Sequence, residues 1–177
     1  MRRGWRHRAT WHGLVLMLGT VAAHGAEETL HFKPPEFLEG PVVTRAATGV
    51  TFTFEGQPPY PAARLRITQV TLPPDVPAPD GRRCGEAFLQ EIRRQSPDAI
   101  WREVDSLQIG ALTLGTWRWA GDLGPQARTG LVSCTTTGPD QLLAVVLEDH
   151  LTSARDSFPA IRTALRGLSL GAPPDMP

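Results

Sequence analysis

The chain has 177 residues, with 18 basic and 18 acidic side chains, and 41% of its residues are hydrophobic. That composition is sufficient for one modest hydrophobic core, and it excludes a disordered chain and a multi-span membrane protein. The formal charge of zero hides an asymmetry, because four arginines and no acid lie within residues 1–26. Without that segment 14 basic groups face 18 acidic ones, so the remaining domain has no general electrostatic attraction for nucleic acid or anionic lipid.

The N-terminus has the three-part layout of a secretory signal peptide. Residues 1–13 carry positive charge and no acid, residues 14–23 are apolar, and small residues follow. The apolar run is about half of the roughly 20 residues that span a bilayer as a helix, so we expect cleavage rather than a permanent anchor. The cleavage site is ambiguous: cleavage after Ala23 places Val21 and Ala23 at the small-residue positions, whereas cleavage after Ala26 places His24 awkwardly at the first of them. We therefore expect residues 1–26 to direct export to the bacterial periplasm, with no stable membrane span after processing.

Both cysteines, Cys84 and Cys134, lie after the predicted signal peptide. An exported protein meets an oxidising compartment, in which an even number of cysteines favours a disulfide, and only one intramolecular pairing is possible. The alternative is a pair of free thiols with a redox role. It is disfavoured because the chain contains no Cys-x-x-Cys motif. We therefore expect a structural disulfide between these two residues.

The first predicted elements follow an irregular entry. Prolines interrupt residues 27–48, and only one short strand is expected there, near Val42 and Val43. Apolar and polar residues then alternate over residues 50–54 and again over residues 64–72. This period of two is typical of half-buried strands. The two segments are expected to pair as a hairpin.

A helix is predicted over residues 84–95, after a proline-rich loop. Cys84, Phe88 and Ile92 recur four residues apart and place an apolar stripe on one face, and Pro97 prevents the helix from continuing. Strand-like patterns then follow as a meander, and the last of them is a continuous apolar run that suits a central strand. The predicted strands are residues 100–104, 107–119, 128–137 and 142–147.

The chain closes with a second predicted helix. Asp156 or Ser157 is expected to cap its start and Gly167 to end it. Its apolar residues follow a 3-4-3 spacing: Phe158, Ile161, Leu165 and Leu168. Strands, helix, strands and helix in this order predict one α+β domain over residues 49–170, an antiparallel sheet flanked by helices, with a flexible tail at residues 171–177.

The inventory of reactive side chains is thin. The best grouping for catalysis is Glu148, Asp149 and His150 after the apolar strand, with Ser133 or Cys134 as the nucleophile of a small hydrolase or thiol enzyme. Adjacent residues of an extended chain point to opposite faces, however, so Asp149 cannot readily orient His150. We expect no catalytic site. The chain also lacks clustered metal ligands and glycine-rich phosphate loops, so no metal and no cofactor is expected.

The feature with the best functional potential is aromatic. Trp117 and Trp119 project from the same face of one predicted strand, Arg118 projects from the other face, and Trp101 lies on a neighbouring segment. Exposed, these tryptophans would contact a partner protein or line the pocket of a carrier of a small hydrophobic ligand. Buried under a helix, which is the commoner arrangement, they would belong to the core.

The order of elements resembles the Mog1/PsbP-like family. The likeness covers about residues 45–170 and includes the early strand pair, a helix carrying Phe88 and Ile92, a meander of strands, and a closing helix that begins Phe158-Pro159. The resemblance implies an α/β/α sandwich and a binding or assembly factor that is not an enzyme. It carries over no binding residue, because partners differ among members. We therefore expect an exported binding or assembly-accessory protein whose partner is another protein of the cell envelope.

Overall fold

The computed structural model describes residues 30–73, 81–122 and 126–171. The predicted signal peptide, residues 1–26, lies outside these ranges, and so does the predicted tail apart from Gly171. Neither helix within the ranges is long and apolar enough to cross a lipid bilayer.

A seven-stranded antiparallel sheet forms the centre of the molecule. From one edge to the other, its strands are β2 (Leu38–Ala46), β3 (Gly49–Gly56), β4 (Arg64–Thr71), β8 (Gln141–His150), β7 (Ala127–Gly138), β6 (Leu112–Asp122) and β5 (Ile100–Ile109). A separate two-stranded sheet pairs β1 (Leu30–His31) with β9 (Ser169–Leu170). The edge strands of the large sheet are therefore β2 and β5.

One helix packs against each face of the large sheet. Helix α1 (Gly81–Gln95) lies over β6 and β7, whereas α2 (Ala154–Leu165) crosses the other face over β8 and reaches β5. The central strand β8 is buried on both sides, since Val145 and Leu147 pack with α2 while Val146 packs with α1. The predicted α+β class with an antiparallel sheet is confirmed. We refer to the two sides as the α1 face and the α2 face.

A disulfide bond joins α1 to the sheet. It links Cys84 on the helix to Cys134 on β7, with their Cα atoms 6.0 Å apart. Both residues are buried in the same apolar cluster as Leu89 and Ile92, which project from the sheet-facing side of the helix. The bond therefore fixes the helix covalently against the α1 face at its most buried part.

The N-terminal edge of the sheet is longer than predicted. Residues 38–46 form a nine-residue strand rather than an irregular entry with a short strand, and only Leu38 of that strand is buried. An exposed edge strand has no buried face to impose an alternating pattern, so the pattern of apolar residues does not reveal it. Its proline, Pro41, lies where the register with β3 shifts between Glu39 and Val42, a position that tolerates a missing N–H group.

The predicted strand over residues 107–119 is wrong, because a tight turn divides it. Strand β5 ends at Ile109 and β6 begins at Leu112, and Gly110 between them has a φ of 55°. This left-handed conformation favours glycine. The turn makes β5 and β6 an antiparallel hairpin, which decides the residues that face one another across it.

Helix α2 begins one turn earlier than predicted. Its N-cap residue is Ser153, and neither Asp156 nor Ser157 caps it. Instead, the Ser157 hydroxyl donates a hydrogen bond of 2.6 Å to Oδ2 of Asp149, while Oδ1 of that carboxylate accepts one from the His150 backbone N–H. Both Ser157 and Asp149 are fully buried, so this pair satisfies a polar group inside the core between α2 and the end of β8.

We expect Ser157→Ala to lower the free energy of unfolding by about 1–3 kcal/mol, because it leaves a buried carboxylate oxygen without its donor. Chemical denaturation monitored by circular dichroism measures the loss. Ser153→Ala is the matched control, since the Ser153 side chain makes no capping hydrogen bond, and its effect should stay within about 0.5 kcal/mol. Equal losses for the two variants would contradict the structural role given to the Asp149–Ser157 pair.

Candidate functional site

The two paired tryptophans belong to the core beneath α1. Trp117 and Trp119 lie on the α1 face of β6 and are only 6% and 1% exposed. A Cβ atom added to Gly85 of the helix would lie 2.3 Å from the Trp117 ring, so helix and indole are in direct contact. On the neighbouring strand β7, a Cβ atom added to Gly130 would lie 2.3 Å from Trp119 Nε1, so this indole is packed against the sheet. Both indoles are buried and therefore not available to a partner.

The third tryptophan remains at the surface. Trp101, the second residue of the edge strand β5, lies opposite Trp119 and is 36% exposed. The guanidinium of Arg93, from the last turn of α1, lies 4.1 Å from the centre of its ring. This cation–π contact holds the indole against the helix end and leaves its outer part accessible. Of the three predicted contact residues, Trp101 alone lies at the surface.

The structure does not assemble the alternative catalytic grouping. Cys134 is held in the disulfide, and Ser133 is buried on the α2 face, where its hydroxyl is hydrogen-bonded to Thr116 at 2.9 Å. His150 pairs with Arg128, five positions along β7 from Ser133, which corresponds to about 17 Å along the strand. Ser133 and His150 also face opposite sides of the sheet. The hydrolase or thiol enzyme built on these residues is therefore contradicted.

A polar cluster on the α1 face surrounds His150. Arg66 donates a hydrogen bond of 3.1 Å to Glu148, and Arg128 donates one of 3.0 Å to a backbone carbonyl that precedes β4. Further buried nitrogens of Arg66, Arg128, His150 and Trp119 have no hydrogen-bond partner within the described residues. The first bond joins β4 to β8, and the second joins β7 to the segment before β4. The cluster thus ties β4, β7 and β8 together at one end of the sheet.

A hollow of about 350 Å³ lies on the opposite face, over β5, β6 and β7. Its lining on the α2 face consists of Ile100, Arg102, Arg118, Ala120, Thr129 and Leu151. Trp101 and Trp119 border it as well. Because their side chains belong to the α1 face, their main-chain atoms supply that part of the floor. We call this feature the arginine hollow.

Two arginines face each other across the arginine hollow. Arg102 on β5 pairs directly with Arg118 on β6, so their side chains project from the same face. Directly opposed residues have Cβ atoms about 5 Å apart, and like charges in that position destabilise a sheet. Neither guanidinium has an ion-pair or hydrogen-bond partner among the residues that the structure describes. An anion placed between them would relieve the repulsion and accept forked hydrogen bonds.

The rim of the arginine hollow is apolar and exposed. Ile100 is 73% exposed and Leu151 is 48% exposed, and they are two of the five large hydrophobic residues that are exposed within the described ranges. Exposed apolar residues with charged or polar residues beside them are typical of interaction sites. The chemistry of the hollow therefore fits a ligand that carries both an apolar group and a negative charge.

Sequence reasoning placed Arg118 on the face opposite Trp117 and Trp119, which is where the structure has it. It did not identify Arg102, Ile100 or Leu151 as site residues. The pairing of Arg102 with Arg118 depends on the turn at residues 110–111, and the prediction of one strand over residues 107–119 left out that turn. The available signal was Gly110 between two alternating segments.

Comparisons with known proteins show structural likenesses and no family. No family model matches the chain, and no curated protein matches it significantly. Among solved structures, the chain is similar to LpqN of Mycobacterium tuberculosis, described as involved in cell envelope biogenesis. The TM-score is 0.50 at 10% sequence identity, over 84% of this chain and 88% of that chain. At this identity the likeness shows the fold alone.

Proposed function

We propose that this protein is an exported binding or assembly-accessory protein of the bacterial cell envelope, that it works in the periplasm, and that it is not an enzyme. The signal-peptide pattern of residues 1–26 supports export. The Cys84–Cys134 disulfide suits an oxidising compartment. The fold is shared with a protein whose described role is in cell envelope biogenesis, which agrees with an envelope location.

We include in this proposal membership of the Mog1/PsbP-like family and the α/β/α layering that the resemblance implies. The order of elements supports it, and so does the placement of α1 and α2 on opposite faces of one antiparallel sheet. In such a protein both helices pack on the sheet and bury the core. A partner would then bind at the edges of the sheet or on the parts of its faces that no helix covers.

The observation that carries the proposal is the arginine hollow beside the edge strand β5. This surface combines an exposed apolar side chain, Ile100, with two opposed arginines that have no acidic partner in the described part of the chain. Exposure of Ile100 to water and repulsion between the two arginines both raise the free energy of the unbound protein. A partner that covers Ile100 and neutralises Arg102 and Arg118 would remove both the apolar exposure and the charge repulsion. We assign this surface to contact with another protein of the cell envelope.

Site-specific photocrosslinking tests the proposal in cells. A photoreactive phenylalanine analogue at position 100 should give a defined adduct with an envelope protein in the periplasmic fraction, because that position lies at the rim of the hollow. Val42 is the matched control position, since it is 64% exposed on the opposite edge strand β2. Adducts at neither position, or the same adducts at both, would contradict the proposed binding surface.

A further inference from the structure

The outer edge of β5 has the properties of a strand acceptor. The strand is ten residues long and, among the residues that the structure describes, it pairs with β6 on one side only. Its first four residues, 100–103, are all exposed. The side chain of Arg162 reaches the carbonyls of Asp105 and Ser106, which lie further along the strand, at 3.5 and 3.4 Å. The part of this edge that precedes Asp105 therefore offers main-chain donors and acceptors to an incoming extended segment.

The side chains at this edge differ in charge between the two faces. On the α2 face, Ile100 and Arg102 stand two residues apart, with Arg118 beside Arg102 on β6. On the α1 face, Trp101 alternates with Glu103. In a segment that pairs with β5, every second side chain would lie beside Ile100 and Arg102 on the α2 face, and the others would lie beside Trp101 and Glu103 on the α1 face. Complementarity therefore requires an apolar residue and an acidic residue, two positions apart, on the α2 face.

We propose that β5 accepts an extended acidic segment of a partner protein as an eighth strand, with a carboxylate of the segment between Arg102 and Arg118 and an apolar residue of it on Ile100. The inference rests on the proposed function and adds the chemistry of the partner. Main-chain hydrogen bonds to the edge supply affinity in this mode of recognition, and the side-chain positions of the hollow supply selectivity. The paired arginines match the two oxygens of a carboxylate.

A second copy of the chain is a poorer occupant of the same edge. Antiparallel pairing of two β5 strands would place their α2 faces on the same side of the combined sheet. A register that places the two Arg102 residues opposite or diagonal to each other would bring like charges together without an anion, beside an Arg118 on each β6. Like charges in opposed or diagonal positions of a sheet disfavour pairing. Charge complementarity thus favours an acidic partner over self-association.

The test uses fluorescein-labelled peptides of about eight residues, with valine and glutamate alternating on one face and threonine on the other. Fluorescence anisotropy against the full chain should show binding, and Arg102→Glu with Arg118→Glu should weaken it at least about tenfold. Arg45→Glu is the matched control, because Arg45 is an exposed arginine on the α2 face of the opposite edge strand. This control variant should bind like the unmodified protein.

Two altered peptides separate strand pairing from simple charge attraction. N-methylation of alternate amides on the edge-facing side should abolish binding, because it removes main-chain hydrogen bonds and keeps the charge. Replacing glutamate by lysine should abolish binding to the unmodified protein and restore it to the double-glutamate variant. Equal binding of the N-methylated peptide, equal binding by the two proteins, or no binding at all would overturn the inference, as would a β5-mediated dimer in sedimentation.

The outcomes for this inference and for the proposed function are distinguishable. A position-specific adduct at residue 100 together with no peptide binding would leave an envelope partner at the hollow and remove the acidic-strand mode. Peptide binding without an adduct in cells would support the edge chemistry and contradict the envelope function. The unfolding midpoint of the Arg102→Glu/Arg118→Glu variant should match that of the unmodified protein, because neither arginine is buried.

Discussion

Removal of the Cys84–Cys134 bond should lower the free energy of unfolding by about 4 kcal/mol, which is the chain-entropy value for cysteines 50 residues apart. The bond holds α1 on the sheet, and without it the unfolded chain gains the freedom of a long loop. The variant to measure is Cys84→Ala with Cys134→Ala, because alanine puts no unpaired polar group into this buried site. Denaturant unfolding at equilibrium gives the free energy.

Reduction of the unmodified protein provides the control for this measurement. With an excess of dithiothreitol, its unfolding midpoint should fall close to that of the double-alanine variant, whereas the variant itself should not respond to the reductant. The remaining difference reports the loss of sulfur packing in the core. A decrease below about 1 kcal/mol for the double variant would show that α1 is held by its apolar contacts alone, with Leu89 and Ile92 sufficient.

The strands with one regular buried face were predictable. Val50, Phe52 and Phe54 alternate with threonines in β3, and the structure buries all three in the core on the α2 face. The same physical rule located β4, β7 and β8, because burial of one or both faces leaves a readable pattern. The helix carrying Phe88 and Ile92 was predicted from a stripe that the sheet requires to be apolar.

The edges of the sheet were not predictable in the same way. Strand β2 lacks a buried face after Leu38, so its residues follow no period that burial would impose. Strand β5 is mostly exposed up to Leu107, and its pairing is fixed by a turn that a single glycine, Gly110, makes possible. The proposed binding surface lies at such an edge. The spacing of apolar residues in a sequence reflects burial. The arginine hollow instead depends on the register between β5 and β6, which that spacing does not reveal.

The tryptophans show the same division between pattern and packing. A period of two placed Trp117 and Trp119 on one face, and that placement is correct. Whether the face is open or covered depends on where α1 lies, which is a long-range contact that local periodicity does not contain. The Trp117 ring packs against Gly85 and the Trp119 ring packs against Gly130. These two glycines are the local sequence feature that agrees with burial of the indoles.

Gly130→Ala should destabilise the protein by about 3 kcal/mol or more, since the added methyl group has no space on the α1 face of β7. Its carbon would lie 2.3 Å from Trp119 Nε1 and 2.5 Å from the carbonyl oxygen of Leu147 in the neighbouring strand. The indole is fixed under α1 and the carbonyl belongs to the sheet, so neither yields without distorting the core. Thermal unfolding followed by tryptophan fluorescence measures the effect.

Gly138→Ala, at the other end of the same strand, is the matched control, because its added carbon would have its nearest neighbour at 3.7 Å. That variant should stay within about 0.5 kcal/mol of the unmodified protein. If the two alanine variants were equally stable, Trp119 would not be packed against Gly130, and its indole would then be free to act at the surface as a binding residue. A large difference between them would show that the Trp119 indole is packed against Gly130 in the core and is not a surface residue.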